Sequence, residues 1–171
     1  MSELAAEFAR VTIQHLETEY VPRLGRALAT LPEADLWWRP HPNTTSAGNL
    51  LVHLEGNVRM WILSGLGGVE FGRDRSAEFA RTDGGTKREL FEALAATVNE
   101  ACAVISSLSK TDLSAPWTIQ GFGTTGLGAV YHVVEHFSWH VGQVVWIAKM
   151  RGGPEHEISF HDDASLNKRE R

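Results

Sequence analysis

Cysteine, basic charge and long apolar runs are all scarce in this 171-residue sequence. The lone Cys102 excludes a disulfide within the chain and suits a reducing compartment. With 16 Lys and Arg against 21 Asp and Glu, the net charge of -5 argues against the basic footprint of a nucleic-acid-binding protein. No window reaches the roughly 18 apolar residues of a membrane span, and the first residues, MSELAAEFARVTIQHLE, lack the apolar core of a signal peptide. We therefore expect a cytoplasmic protein without nucleic-acid or membrane partners.

The composition is that of an ordinary globular protein, with 43% apolar and 22% charged residues. The length suits a single hydrophobic core. We expect one domain over residues 1–151 and a polar tail over residues 152–171 that packs on the domain or trails from it. Cys102 is expected to be a small buried apolar residue on a helix, and the alternative is a catalytic thiol.

Apolar residues recur at steps of three and four along four segments, which is typical of amphipathic helices. The pattern predicts helices over residues 4–31, 46–64, 86–108 and 127–150. Polar or turn-rich connectors separate them, and the piece TIQGF suits a short strand or a lid. Four helices of roughly 20 to 28 residues predict an all-α four-helix bundle with long connecting loops.

The stretch YHVVEHFSWHVGQVVW contains three of the eight histidines, His132, His136 and His140, at a spacing of four. On a helix these side chains lie within about 80° of one another. The polar residues Glu135 and Lys149 lie on a different arc, so the histidines are predicted to face the protein interior. Each buried imidazole brings polar atoms that need partners, and a metal ion satisfies several nitrogens at once.

One helix offers a metal ion only two histidines at positions i and i+4, so a third ligand must come from another helix. His53 is the candidate, because it belongs to a polar stripe on the second helix. The members of this stripe are Ser46, Asn49, His53, Gly56 and Asn57. The stripe is predicted to line a polar cavity; the alternative is a set of helix–helix hydrogen bonds without a metal.

Two pairs on the last helix are candidates for the remaining ligands. His132, Glu135 and His136 spell H-x-x-E-H, an inverted zinc-protease motif in which the glutamate acts as a general base. That class also needs a carboxylate ligand far downstream, and only 35 residues follow His136. The other pair, His136 and His140, continues into Gly142 and Gln143 as H-x-x-x-H-x-G-Q.

The pieces GNLLVHLEGNVRMWILSGLGG and HVVEHFSWHVGQ resemble the DinB/YfiT-like superfamily, in particular its DUF1572-type branch. LWWRP, GRDRSAEF and TIQGF also occur in the order of that family, so the resemblance covers nearly the whole chain. It implies a four-helix bundle that binds one divalent metal ion, zinc or nickel, through His53, His136 and His140. His132 is then an additional residue one turn from the ligands, behind them or in the pocket wall.

Three neutral nitrogen ligands leave a divalent ion with its full charge and an open position, which is typical of a catalytic site. Such an ion lowers the pKa of bound water to roughly 7 or holds a thiolate. The resemblance likewise implies either a metal-dependent hydrolase or a transferase that uses a low-molecular-weight thiol such as bacillithiol or mycothiol. Phe137 and Val141 follow the two ligands and no general base stands beside them, which favours the thiol S-transferase.

The competing hypothesis is a non-catalytic homodimeric bundle that binds a small ligand or partner. Apolar residues left over on the last helix, Val134, Val141 and Val145, allow a homodimer in either case. No catalytic residue is assigned. Several connector residues are placed near the mouth of the bundle without a role: Arg39, His41, Arg73, Asp74, Trp37, Trp38 and Trp117.

Overall fold

Four long helical segments form the scaffold in the computed structural model, which describes residues 3–153 and 158–159. The first segment consists of α1 (Glu3–Ile13), a π-helical stretch (Gln14–Tyr20) and α2 (Val21–Thr30). The second consists of α3 (Ala47–Val58) and a π-helical stretch (Arg59–Ser64). A short helix, α4 (Arg75–Ala80), precedes the third segment, α5 (Lys87–Ser107). Helix α6 (Lys110–Ser114) and a hairpin of β1 (Pro116–Ile119) and β2 (Phe122–Thr125) lead to the fourth segment, α7 (Gly126–Arg151).

The long segments pack together as one bundle. Helix α3 contacts both α5 and α7, while α1 contacts α5 and α2 contacts α7, so the four segments enclose one core. Fully buried side chains come from each of them, for example Leu16, Leu54, Leu94 and Phe137. Each such side chain contributes about 1.5–3 kcal/mol through its removal from water. The predicted all-α four-helix bundle is confirmed.

Two of the long helices begin close to the predicted positions 46 and 86, each with a side-chain cap. Ser46 and Asn49 form a reciprocal capping box at the start of α3, and Thr86 and Glu89 form another at the start of α5. Within the first segment, the π-helical stretch ends next to Pro22, which has no backbone N–H for a helical hydrogen bond. The sequence predicted a single helix over residues 4–31.

Two connectors contain more structure than the sequence indicated. The region predicted as a polar loop over residues 65–85 contains α4, which Asp74 caps by accepting a hydrogen bond from the backbone N–H of Ala77. TIQGF is part of the β1–β2 hairpin, whose turn residues Gln120 and Gly121 have positive φ angles. Five- and six-residue helices are too short to show the periodicity by which the longer ones were predicted.

Cys102 is buried on α5, and burial raises the pKa of its thiol to about 12. A thiol with that pKa stays protonated at neutral pH, which agrees with a small apolar core residue and not with a nucleophile. Among the described residues, α5 is also the one helix long and apolar enough to cross a membrane by length and composition. In the bundle α5 packs against α3 and α1.

The predicted tail over residues 152–171 lies for the most part outside the described residues. Of its described part, Ile158 is buried in the hydrophobic core. At this point the chain packs on the bundle.

Candidate metal centre

Three histidine side chains from two helices converge between α3 and α7. His53 projects from α3, and His136 and His140 project from successive turns of α7. The Nε2 atom of His136 lies 3.1 Å from Nε2 of His53 and 3.1 Å from Nε2 of His140. The ligand atoms of the three residues all lie within 4.8 Å of one another, so this group could hold a metal ion.

Hydrogen bonds at the far side of two rings determine which nitrogen carries the proton. Nδ1 of His53 lies 2.7 Å from a carboxylate oxygen of Glu78, and Nδ1 of His140 lies 2.5 Å from the amide oxygen of Gln143. Because both oxygens are acceptors, each Nδ1 carries the hydrogen and donates it. The Nε2 atoms of these two rings therefore present lone pairs to the centre of the group.

The arrangement of the three nitrogen atoms suits a metal ion between them better than a single shared hydrogen. Nε2 of His136 faces the lone pairs of His53 and His140, and a single N–H can donate to only one of them. Nδ1 of His136 is buried without a hydrogen-bond partner among the described residues. Tetrahedral nitrogen ligands of a zinc ion lie about 3.3 Å apart, which is close to the observed separations.

Burial and nearby positive groups keep the rings of His136 and His140 neutral. Burial, together with the nearby His140, His53, His132 and Arg73, lowers the pKa of His136 to about 3. Burial also lowers the pKa of His140, although the hydrogen bond to Gln143 partly offsets this effect. Neutral imidazoles are the form that binds metal ions.

The site is open on one side. His53 is 3% exposed, whereas His136 and His140 are only partly buried. Within residues 3–153 and 158–159, no further His, Cys, Asp or Glu joins the three-histidine group. An ion held there would keep at least one position for water or a substrate, as catalytic zinc sites do.

Glu78 and Arg73 lie behind His53, on the side away from the other two histidines. Glu78, on α4, accepts hydrogen bonds from Nε and Nη2 of Arg73 at 2.7 and 2.9 Å. Burial alone would raise the pKa of Glu78, but the hydrogen bonds from His53 and Arg73 outweigh it and lower the pKa. Glu78 is therefore a carboxylate, and Arg73 balances its charge.

The polar stripe on α3 is buried as predicted, but its N-terminal half does not line a cavity. Nδ2 of Asn49 donates to the backbone oxygens of Glu78 and Arg81 at 2.9 and 2.7 Å. Nη2 of Arg39 donates to Oδ1 of Asn49 and to the same carbonyl of Arg81. The segment around α4 therefore covers this half of the stripe and ties it to the connector before α3.

His132 lies beside the three-histidine group and not within it. Its ring stacks on that of His136 with centroids 5.4 Å apart, and lies 4.2 Å from the ring of Trp61. Its Nε2 is 3.4 Å from Nδ2 of Asn57, whose Oδ1 has no partner among the described residues. Nε1 of Trp61 donates to Gln120 at the hairpin turn. These side chains form a wall next to the open side of the site.

Other residues singled out in the sequence lie elsewhere. Glu135 is exposed, so the H-x-x-E-H match does not place a general base at the site. The tryptophans of the connectors do not wall the site: Trp37 packs over Gly48, Trp38 under Arg151, and Trp117 donates to the backbone of Asp112. His41 is exposed in a turn and Asp74 caps α4.

Glu78 and Trp61 belong to the site, but the sequence did not single them out for it. Glu78 lies in the GRDRSAEF piece, where Asp74 followed by helix-forming residues is the signature of a short capped helix. Trp61 lies among apolar residues of the π-helical stretch after α3, and the sequence pattern alone assigns such a residue to the core. Its ring is indeed buried, and one edge forms the wall beside His132.

Comparison with known proteins agrees with this architecture. The family model described as "Protein of unknown function (DUF1572)" matches residues 3–159. A solved structure, the "conserved protein of locus from Enterococcus faecalis", is similar in fold with a TM-score of 0.67 and 16% sequence identity. The match covers 83% of this chain and 95% of that one. No curated protein matches the chain significantly. The chain belongs to the DUF1572 family, within the DinB/YfiT-like superfamily.

Proposed function

We propose that the protein binds one divalent metal ion, zinc or nickel, through Nε2 of His53, His136 and His140, and that it is a metalloenzyme. The observation that carries this proposal is the convergence of three ring nitrogens: Nε2 of His136 lies 3.1 Å from each of the other two, whose lone pairs are directed inward. Imidazole nitrogen suits both ions. The open side of the group is where a small-molecule substrate would approach.

When bound, the ion would lower the pKa of a coordinated water to roughly 7 or hold a thiolate. The chain contributes three uncharged ligands, and the negative charge of Glu78 is balanced by Arg73, so the charge of the ion is not neutralised locally. The site therefore favours an anionic partner. We place this activity in the cytoplasm.

The arrangement of carboxylates favours a low-molecular-weight thiol over water as the activated group. Glu78 is occupied by Arg73 and His53, and Glu135 is exposed, so neither is free to take a proton from a water molecule at the open side. A thiol with its ordinary pKa near 8.5 needs less help to ionise. The proposed reaction class is thiol transfer by substitution: the thiol loses its proton to solvent, and its sulfur forms a bond to an electrophilic carbon of a small substrate while a leaving group departs with the electron pair of the bond that breaks.

Hydrolysis is the second candidate, and one observation favours it. His132 is a half-buried imidazole next to His136, and burial lowers its pKa, so it is a neutral base at pH 7. A water molecule between His132 and the open side of the site would have a proton acceptor. Loss of activity in His132→Gln with a thiol-independent substrate would identify this mechanism.

The competing hypothesis is a non-catalytic bundle that binds a small ligand. The metal content of the purified protein distinguishes the non-catalytic bundle from the metalloenzyme. Untagged protein should contain about one zinc or nickel ion per chain by mass spectrometry, and His140→Ala should lose most of it. His132→Ala is the matched control, because it removes an imidazole one turn beyond His136 on the same helix and should retain the metal. Equal metal content in wild type and His140→Ala would rule out the ligand assignment, and no bound metal in wild type would favour the non-catalytic bundle.

A further inference from the structure

We propose that Glu78, held by Arg73, is a positioning residue that keeps Nε2 of His53 unprotonated and directed at His136. This inference rests on the proposed metal site for its functional meaning, but its structural part concerns the proton on His53 and is testable without a metal. Glu78 is not itself a ligand of the three-histidine group.

The carboxylate of Glu78 is fully used by its two partners. One oxygen accepts from Nε of Arg73 at 2.7 Å. The other accepts from Nη2 of Arg73 at 2.9 Å and from Nδ1 of His53 at 2.7 Å. The side chains of Arg73 and His53 are each 3% exposed and that of Glu78 is 8% exposed. A buried carboxylate with such partners cannot turn to solvent, so its direction toward His53 is fixed.

A second contact shows why the carboxylate is needed. Nη2 of Arg73 also lies 3.1 Å from Nδ1 of His53. In the absence of Glu78, this guanidinium donor would favour a lone pair on Nδ1 and hence a proton on Nε2, because a donor cannot share its hydrogen with an N–H group. That tautomer turns a hydrogen toward His136 and cannot bind a metal through Nε2. The carboxylate reverses this preference by accepting from both partners.

The backbone around Glu78 is anchored to α3 at several points. Asn49 donates to the backbone oxygens of Glu78 and Arg81, and Arg39 donates to those of Phe79 and Arg81. The ring of Phe79 packs on His53 with centroids 4.5 Å apart. These contacts hold the end of α4 against the helix that carries His53, so the segment acts as a rigid support for one ligand.

Gly56 makes room for this support. It lies one turn after His53 on α3, and a Cβ atom at this position would overlap the carboxylate oxygen of Glu78 that pairs with Arg73. The neighbour is a charged group that accepts three hydrogen bonds, so it could not give way without weakening them. Gly56→Ala should therefore displace the carboxylate while leaving its charge in place.

Glu78→Gln is the direct test, because it replaces one acceptor oxygen with an NH2 donor of the same size. Either orientation of the amide sets that donor against a donor of Arg73, and one orientation also sets it against Nδ1 of His53. The uniform preference for a proton on Nδ1 is then lost. Loss of such an outer contact commonly weakens metal affinity by about 10- to 100-fold.

Two measurements on folded protein test whether Glu78 positions His53. Nitrogen-15 NMR of the metal-free protein should show His53 protonated on Nδ1 in wild type and a substantial Nε2-protonated population in Glu78→Gln. Calorimetric zinc titration should show affinity reduced about 10- to 100-fold in Glu78→Gln and reduced in Gly56→Ala. Glu55→Gln is the matched control, because Glu55 is a half-buried glutamate on α3 that pairs with Arg59, and it should change neither result.

The outcomes separate this inference from the proposed function. If His53 carries its proton on Nε2 in wild type, or if Glu78→Gln matches Glu55→Gln in both measurements, the positioning role is wrong. If wild type binds neither zinc nor nickel while the tautomer shifts as expected in Glu78→Gln, the metal function is wrong and Glu78 still sets the state of His53.

Discussion

His136 is the histidine of the group with no partner for its second nitrogen among the described residues. His53 and His140 donate from Nδ1 to Glu78 and Gln143, whereas Nδ1 of His136 is buried and unpaired. Its Nε2 lies between the other two rings. A proton added to His136 would therefore be buried and surrounded by other nitrogen atoms. This position explains why burial and the neighbouring rings lower the pKa of His136 to about 3.

The stability of the metal-free protein should fall as the pH is lowered below about 6.5. Burial lowers the pKa of His136 from 6.5 to about 3, so between these values the unfolded chain binds a proton that the folded chain does not. The contribution is complete above the unfolded pKa and is lost as the pH falls toward the folded one. One such group costs at most about 1.4 kcal/mol per pH unit, and less because solvent reaches the ring on its exposed side.

Urea denaturation at pH 7.5 and pH 5.0 in the presence of a chelator measures this effect. His136→Asn should show a smaller difference between the two pH values than wild type. His15→Asn is a suitable control, since His15 lies on the first helical segment away from the group, and it should keep the wild-type difference. An unchanged pH dependence in His136→Asn would contradict the assignment of the lowered pKa.

At the scale of elements, the sequence predicted the helices that are long enough to show a repeated apolar pattern. The four long helices are confirmed, because a repeated apolar stripe is visible in the sequence. Helices α4 and α6 were missed, since five or six residues contain too little of a 3.6-residue period. Glu78 was missed with α4, because its importance depends on where that short helix docks.

The two capping boxes should differ in their contribution to stability although they share one motif. Asn49 is fully buried, caps α3 and also donates to backbone oxygens of the α4 segment, whereas Glu89 caps the exposed start of α5. Asn49→Ala leaves several buried polar groups unpaired, each at about 1–3 kcal/mol. Glu89→Ala removes one exposed cap interaction at about 0.5–1 kcal/mol.

Chemical denaturation of metal-free protein compares the two variants directly. Asn49→Ala should lower the free energy of unfolding by about 2–4 kcal/mol, several times more than Glu89→Ala. Equal losses would mean that Asn49 acts only as a helix cap and that the contacts to the α4 segment contribute little. Such a result would also weaken the role of that segment as a support for His53.

At the scale of the whole molecule, the site exists because the bundle brings α3 beside α7. The sequence indicated the two α7 ligands by their spacing and His53 by its polar stripe, and the family resemblance selected His136 and His140 as the pair. The structure brings these three residues together. The rest of the site, Glu78, Arg73 and the wall at Trp61, depends on long-range packing of connectors, which no local pattern in the sequence reports.

The exposed face of α7 is the candidate contact surface of the proposed homodimer. The valines expected to form the dimer surface are largely used in the core: Val141 is 5% exposed, and Val134 and Val145 are partly buried against it. Among the described residues, several large apolar side chains of α7 are instead exposed, with Trp139 at 72% and Trp146 at 60%. Tyr131 shares their face of the helix, within about 80° of arc. A homodimer would bury this face.

We propose that a second copy of the chain covers this face through a two-fold interface. A groove of about 470 Å³ lies beside Trp139, and Gly142 forms an open part of it, since a Cβ there would meet no atom within 4 Å. The groove is large enough for an aromatic side chain of the second copy.

Sedimentation velocity at micromolar concentration should give a dimer for wild type, and Trp139→Ser combined with Trp146→Ser should shift it to monomer. Phe122→Ser removes an aromatic side chain of similar exposure, 65%, from the hairpin and should leave the dimer intact. A monomeric wild type would refute the dimer, whereas a dimer that survives the double substitution would place the interface on another face of the bundle.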